Sequence, residues 1–379
     1  MDTRFHIELI DDTNWSVAQD LIHDGWNNNH IFTKSEALLK WQYIGYGPHK
    51  NKGAFALYDD SKMIGFRLMI PIELSLSEGI DNKKRIVPAG VSTLYYIDEE
   101  YRGMKLGLKM QLYTIEHFGY YFAIASNLKT SAPIYKKSGA FMLDTMYRYV
   151  CPLSIDFKNI LKIKTDVDFI FNPDKNIAIS RDVDSDELFK IWDCSTKNEN
   201  ITSLARPSDF WNWRYKQSPI YKYHFFGSIN DGGIIVGRIE KLYNQDKTVK
   251  NETVFRILEF IPCNSNVWRG EFDDKMSCLL NSVLAWAKEK GCVAAEFYIS
   301  TNHFDSILSK NGFKEINIKK ENIFLDCYSY FEPCCESTRL CNITVFATDY
   351  QGEFDFNNTY FTLSDADQDR PNILPYEAK

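Results

Sequence analysis

Two stretches of this chain carry the same aromatic signature in the same surroundings. Trp41-Gln42-Tyr43 follows the helical-looking SEALLK and precedes Pro48 and a strand pattern ending near Gly65. Trp213-Arg214-Tyr215 follows PSDFWN and precedes Pro219 and a strand pattern ending near Gly237. Trp41 to Gly65 and Trp213 to Gly237 are both 24 residues apart. Further on, Lys137-Ser138-Gly139-Ala140 faces Lys310-Asn311-Gly312-Phe313, with Tyr43 to Gly139 spanning 96 residues and Tyr215 to Gly312 spanning 97. An ordered set at one offset reads as tandem duplication of a single α/β unit. Two unrelated α/β domains of similar composition are the alternative.

The length agrees, because 379 residues exceed what one core usually fills. The polar link Lys162 to Ser185 sets the division near residue 165, giving units 1–165 and 166–379. Apolar content of 44% and aromatic content of 15% suit packed globular domains. A net charge of −7 argues against a general nucleic-acid binder. The N-terminus MDTRFHIELIDD is not a signal segment, and no apolar run reaches the ~18–20 residues that span a bilayer. A cytoplasmic protein without membrane insertion is expected. Nine cysteines form no CxxC pair, and the seven histidines no HExxH, so buried thiols and no metal site are expected.

Chemistry concentrates in the first half. Val91 to Ile97 (VSTLYYI) reads as a buried strand, Asp98 to Tyr101 as a polar turn, and Leu108, Leu112 and Ile115 recur at helical spacing. A tight turn entering a helix presents unpaired backbone N–H groups and the positive end of the dipole to an anion. Gly103 and Gly107 keep that backbone approachable, and Arg102 and Lys105 add positive charge. Downstream, Phe122 to Ser126 reads as the next strand, followed by Asn127 and the helix-like APIYKKSGAFM.

The segment YRGMKLGLKM resembles motif A of the GCN5-related N-acetyltransferase superfamily. Arg102 and Gly107 match its outer positions, while Lys105 stands where the first glycine is expected. Tyr135 and Gly139 resemble the family's following Tyr-x-x-x-Gly-aromatic helix end, and Asn127 its strand-end Asn. The resemblance covers about Met1 to Tyr149. It implies two tandem domains of mixed α/β (α+β) class, each a mostly antiparallel sheet flanked by helices. It also implies an acyl-coenzyme A cosubstrate and direct transfer to an amine without an acyl-enzyme. Its cofactor would lie on Tyr95, Tyr96, Ile97, Arg102, Gly103, Met104, Lys105, Leu106, Gly107 and Leu108. Tyr135 would serve the departing thiolate, with Asn127 beside it, and a bulged strand near Tyr95 to Ile97 would admit the pantetheine arm.

The second half differs where that chemistry would be decided. Met276, Leu279, Leu280, Val283, Leu284 and Ala287 mark a helix, but Asp273 and Asp274 at its start would repel a diphosphate. Coenzyme A is therefore expected in the first half alone, with the second half forming an acceptor wall. The tandem arrangement with repeated Trp-x-Tyr segments resembles N-acyltransferases of bacterial surface-polysaccharide (O-antigen, lipopolysaccharide) pathways. The implied acceptor is a nucleotide-linked dideoxy amino sugar on thymidine diphosphate, and the acyl group acetyl or a short hydroxyacyl such as 3-hydroxybutanoyl. Arg214, Trp211, Tyr215 and His224 are the candidate acceptor residues; Trp213 stands beside them, with simple packing as the competing role. Glu100, His224, Glu296 and His303 are candidate bases. A Fem-like aminoacyltransferase and a non-catalytic binding protein are the alternatives, and a homo-oligomer is compatible with the sequence.

Overall fold

The computed structural model describes residues 4–78, 83–160, 169–174, 176–243, 249–271, 274–316, 341–350 and 352–369. The division near residue 165 and Asp273 lie outside them. In chain order the strands are β1 (Phe5–Leu9), β2 (Ala54–Asp59), β3 (Lys62–Glu78), β4 (Lys83–Ile97), β5 (Tyr120–Ile124), β6 (Phe141–Leu143), β7 (Tyr147–Pro152), β8 (Thr202–Leu204), β9 (His224–Ser228), β10 (Gly233–Tyr243), β11 (Val249–Pro262), β12 (Cys292–Ile299), β13 (Lys314–Glu315), β14 (Ile343–Ala347) and β15 (Thr359–Tyr360). The helices are α1 (Trp15–Gly25), α2 (Ile31–Lys34), α3 (Glu36–Ile44), α4 (Leu106–Phe118), α5 (Ser131–Lys137), α6 (Ser185–Thr196), α7 (Ser208–Trp211), α8 (Asp274–Glu289) and α9 (Asp305–Lys310). None of them is long and apolar enough to cross a membrane.

The strands form two sheets of one design. The first runs β1-β2-β3-β4-β5-β14-β6, with β8 beside β3 and β15 beside β8; the second runs β13-β7-β12-β11-β10-β9. β4 and β5 are parallel, as are β11 and β12, with antiparallel neighbours on either side. α4 joins the first parallel pair and α8 the second. The duplication is thus visible in topology, with one exchange. Between β5 and β6 lies β14, from the second half, and between β12 and β13 lies β7, from the first.

The repeated tryptophans join the two copies. Trp41 and Trp213 stack with ring centroids 5.1 Å apart. Each indole N–H donates to the other's backbone carbonyl, at 3.1 and 3.0 Å. The main hydrophobic core, including Tyr43, Trp213, Phe226 and Phe361, contains residues of both halves. The packing role is therefore the one observed for both tryptophans.

Helix faces follow from which side chains meet a sheet. In α8 the expected stripe of Met276, Leu279, Leu280, Val283, Leu284 and Ala287 is buried. In α4 the buried positions are Leu106, Met110, Gln111, Thr114 and Phe118. Leu108 and Leu112 lie off that face and are exposed.

The chain returns to the body near its C-terminus. Thr359 and Tyr360 pair with β8, Thr362 bridges Ile299 of β12, and Phe361 stacks on Phe122 of β5 at 4.3 Å. Beneath this segment lie buried ion pairs. Arg206 contacts Asp365 at 2.6 Å and Glu259 at 3.3 Å, and Arg214 contacts Asp369 at 2.9 Å. Burial lifts the Asp365 carboxyl to about 6 against the pull of Arg206, and the charge of Glu259 adds to the rise.

Candidate active site

β4 and β5 are laddered only at Gly90–Tyr121 and Val91–Phe122. Beyond Val91 they diverge. On its other side β4 carries a bulge between Ser92 and Tyr95, since Arg67 faces Tyr95 whereas Met69 faces Ser92; the expected stretch Tyr95 to Ile97 just beyond it pairs in regular register. Bulge and divergence together leave the edge of β4 from Ser92 to Ile97 facing a gap. That gap is the floor of a cleft of about 1250 Å³, closed by Ser126 to Ser131, Ile134 and Tyr135 and bordered by Trp26, Arg102 and Gly107.

The turn above the cleft explains how lysine replaces glycine. Lys105, the residue before α4, has φ 61° and ψ 13°, and Gly103 has φ 89°. Position 105 therefore takes the left-handed conformation that glycine adopts freely, and lysine holds it at a cost of about 1–2 kcal/mol. No side chain caps the start of α4, so its first-turn amides remain open. Gly107 packs under Tyr95, whose hydroxyl donates to its carbonyl; a Cβ there would meet that hydroxyl at 2.9 Å. Arg102 lies at the rim, donating to Glu99 at 2.7 Å and to the Ile97 carbonyl at 3.3 Å.

Of the residues expected to hold the cofactor, Tyr95, Tyr96, Ile97, Arg102 and Gly107 line the cleft. Gly103, Met104, Lys105 and Leu108 lie outside the lining, and Leu106 is a core residue of α4. Tyr135 and Asn127 both line it. Tyr135 is buried, with its hydroxyl 2.9 Å from Ser92 Oγ. Asn127 serves the turn into α5, its Oδ1 accepting from the Lys129 amide at 2.9 Å. Burial pushes the Tyr95 hydroxyl up to about 12, with nearby Arg67 pulling it back.

The expected acceptor residues are elsewhere. Arg214, Trp211, Tyr215 and His224 do not line the cleft. Arg214 is committed to Asp369, Trp211 is fully buried against Tyr215, and Tyr215 donates to Glu259 at 2.7 Å. His224 sits against Trp286 and shares a hydrogen bond with Ser180 at 3.2 Å. Each is held by packing or ion pairing inside the second half, so none presents a free polar group to a ligand in this cleft. The candidate bases fare alike. Glu100 is exposed on the turn after β4, Glu296 is paired with Arg256 at 2.9 Å, and His303 lies edge-on to Trp268. Neither carboxylate nor imidazole belongs to the lining among the described residues.

Several lining residues were not among the sequence candidates, notably Trp26, Ser92, Lys129 and, from the C-terminal segment, Gln368. Trp26 follows α1 and is partly exposed at the border of the cleft. Asn342, beside β14 and outside the lining, holds the backbone of lining residue Ser126. Its Oδ1 accepts from the Ser126 amide at 3.0 Å, and its amide donates to the Ser126 carbonyl at 2.8 Å.

The second sheet has the corresponding gap, but it is filled. β11 and β12 pair from Thr253–Cys292 to Ile257–Phe297. Past that point the C-terminal segment intervenes. The Ser300 amide donates to the Phe361 carbonyl at 3.0 Å, the Phe361 amide to Ser300 Oγ at 2.9 Å, and the Phe260 amide to Tyr360 Oη at 3.1 Å.

No family model matches the chain, and no curated protein matches it by sequence. Solved structures do match in fold. A GCN5-related N-acetyltransferase from Anabaena variabilis is 11% identical with a TM-score of 0.52, over 83% of this chain and 71% of that one. A protein from Enterococcus faecalis described as a probable N-acyltransferase is 9% identical, with a TM-score of 0.54 over 90% of this chain and 72% of that one. Saccharomyces cerevisiae N-myristoyltransferase, solved with myristoyl-CoA, is 9% identical with a TM-score of 0.53 over 99% of this chain and 87% of that one. The chain has the fold of GCN5-related N-acetyltransferases, doubled.

Proposed function

We propose that the chain is an acyl-coenzyme A-dependent N-acyltransferase whose donor enters the gap between β4 and β5. The observation that carries this reading is the contrast between the copies: one interstrand gap is open beneath an uncapped helix start, and the other is filled by protein. Pantetheine would lie along the unladdered edge of β4, taking the backbone hydrogen bonds that β5 no longer makes. The pyrophosphate would rest at the start of α4 near Arg102. The thioester carbonyl would then lie at the bulge, within reach of backbone N–H groups as its oxygen gains charge. Among the described residues the titratable lining groups are Tyr95, Tyr96, Tyr135, Arg102 and Lys129. Deprotonation of the amine is accordingly assigned to solvent rather than to a cleft carboxylate.

The acceptor we propose is a nucleotide-linked amino sugar, most simply a thymidine diphosphate dideoxy sugar, receiving an acetyl or short hydroxyacyl group. Support comes from a lining that combines Trp26 and Tyr96 with cationic Arg102 and Lys129, chemistry suited to a base ring and a diphosphate. These residues take the place of Arg214, Trp211 and Tyr215.

Thiol release from acetyl- and 3-hydroxybutanoyl-coenzyme A against thymidine- and uridine-diphosphate amino sugars tests the whole reading. Gly107→Glu is expected to weaken coenzyme A binding at least 100-fold by calorimetry, since it displaces Tyr95 and puts negative charge at the phosphate site. Unchanged affinity would remove the donor from this loop. Tyr135→Phe is expected to lower turnover about 10- to 100-fold with donor affinity preserved, as for loss of one proton donor. A loss confined to binding would make Tyr135 a packing residue.

A further inference from the structure

Arg67 sits in the middle of β3, in the otherwise apolar run Ile64-Gly65-Phe66-Arg67-Leu68-Met69-Ile70, and is fully buried. The buried arginines of the second half are neutralised: Arg206, Arg214, Arg238 and Arg256 each contact a carboxylate. Arg67 contacts none among the described residues. Its Nη2 donates to Ser92 Oγ at 3.3 Å, and its Nε and Nη1 have no hydrogen-bond partner. The guanidinium lies over the rings of Tyr95 and Tyr135, 4.9 and 5.7 Å from their centroids. A buried cation without a counter-ion is costly, so this one is available to a negative charge that arises beside it.

The geometry says where that charge would be. Ser92 Oγ is 2.9 Å from Tyr135 Oη, and Ser92 and Tyr135 both line the cleft. An arginine donating to Ser92 Oγ favours turning the serine O–H onto Tyr135 Oη. The Tyr135 O–H is then free to donate into the cleft.

We propose that Arg67, acting through Ser92, is a positioning residue that makes Tyr135 the proton donor to the sulfur of departing coenzyme A. The proposal rests on the acyltransferase reading above. In the step, the amine nitrogen bonds the thioester carbon, and the C–S bond breaks with its electron pair passing to sulfur. The Tyr135 proton moves to sulfur, giving the free thiol. The tyrosinate left behind is hydrogen-bonded by Ser92 and faces the Arg67 charge. It regains a proton from solvent, which took one from the amine.

The test is a double-variant cycle on the full chain. Arg67→Met, of similar length, is expected to lower kcat about tenfold with acyl-coenzyme A affinity unchanged, and Ser92→Ala to do the same. In a Tyr135→Phe background, Arg67→Met is expected to cost nothing further, because its route to sulfur is already gone. An additive loss, or an Arg67→Met enzyme with full kcat, would overturn the proposal. A second readout needs no acceptor. At pH 9 wild-type protein is expected to bind coenzyme A about tenfold tighter than desulfo-coenzyme A by calorimetry, and both variants to lose that preference. Equal preference in wild type and Arg67→Met would refute the proposal. Absence of any coenzyme A binding would instead refute the acyltransferase reading.

Discussion

Ending the chain after Asn358 is expected to abolish cooperative folding. The deletion removes Tyr360, Phe361 and Leu363, each at most 2% exposed, and at roughly 1.5–3 kcal/mol per buried apolar side chain the loss approaches 5–9 kcal/mol. It also strips Asp365 from Arg206 and Asp369 from Arg214. Leaving one member of a buried pair alone costs about 3–5 kcal/mol. Together these amount to about 11–19 kcal/mol, as large as the roughly 5–15 kcal/mol that holds a typical domain together. Circular dichroism melting is the check. A truncated protein with a sigmoidal transition within a few degrees of the full chain would show that the segment is ornamental.

A fragment comprising residues 1–165 is expected to be unable to fold alone. It contains β7 without β12 or β13, and β5 and β6 without β14 between them. Tyr149 and Cys151, buried in the whole chain, would face water, and β5 would present an unpaired apolar edge. Co-expression with residues 166–379 is expected to restore a soluble complex. A monomeric 1–165 fragment that melts cooperatively on its own would mean that the exchanged strands are dispensable.

How far the sequence discloses this structure depends on whether a feature is local. The strand, turn and helix around Arg102 follow from a compact run of residues, and so were readable; the bulge, implied by the family resemblance at Tyr95 to Ile97, lies instead between Ser92 and Tyr95. The duplication was readable too, because Trp41 and Trp213 hold equivalent places. Partnerships between distant residues were not. Arg214 looks like a ligand-binding arginine until Asp369, 155 positions away by number, is seen against it. Leu108 and Leu112 carry a helical period, yet the buried face of α4 holds Leu106, Met110, Gln111, Thr114 and Phe118, since period alone does not say which face meets a sheet. Nor does alternation within β7 or β14 name the sheet each joins. Arg67 did leave a trace, as a lone cation in an apolar strand, but charge in a sequence carries no sign of whether a counter-ion waits nearby.

The exchanged strands also impose an order on synthesis. The first sheet has its β6 by Leu143, but the strand that belongs between β5 and β6 begins only at Ile343. At roughly 5–20 residues per second, a ribosome needs about 10–40 s to supply it. Throughout that interval the nascent chain carries β5, sequence Tyr-Tyr-Phe-Ala-Ile, with its β14 side open. A second nascent chain on the same message offers the same vacancy and, slightly later, the same missing strand. Neighbouring chains can therefore complete each other's sheets with native pairing, and the yield of monomer should fall as translation becomes more crowded.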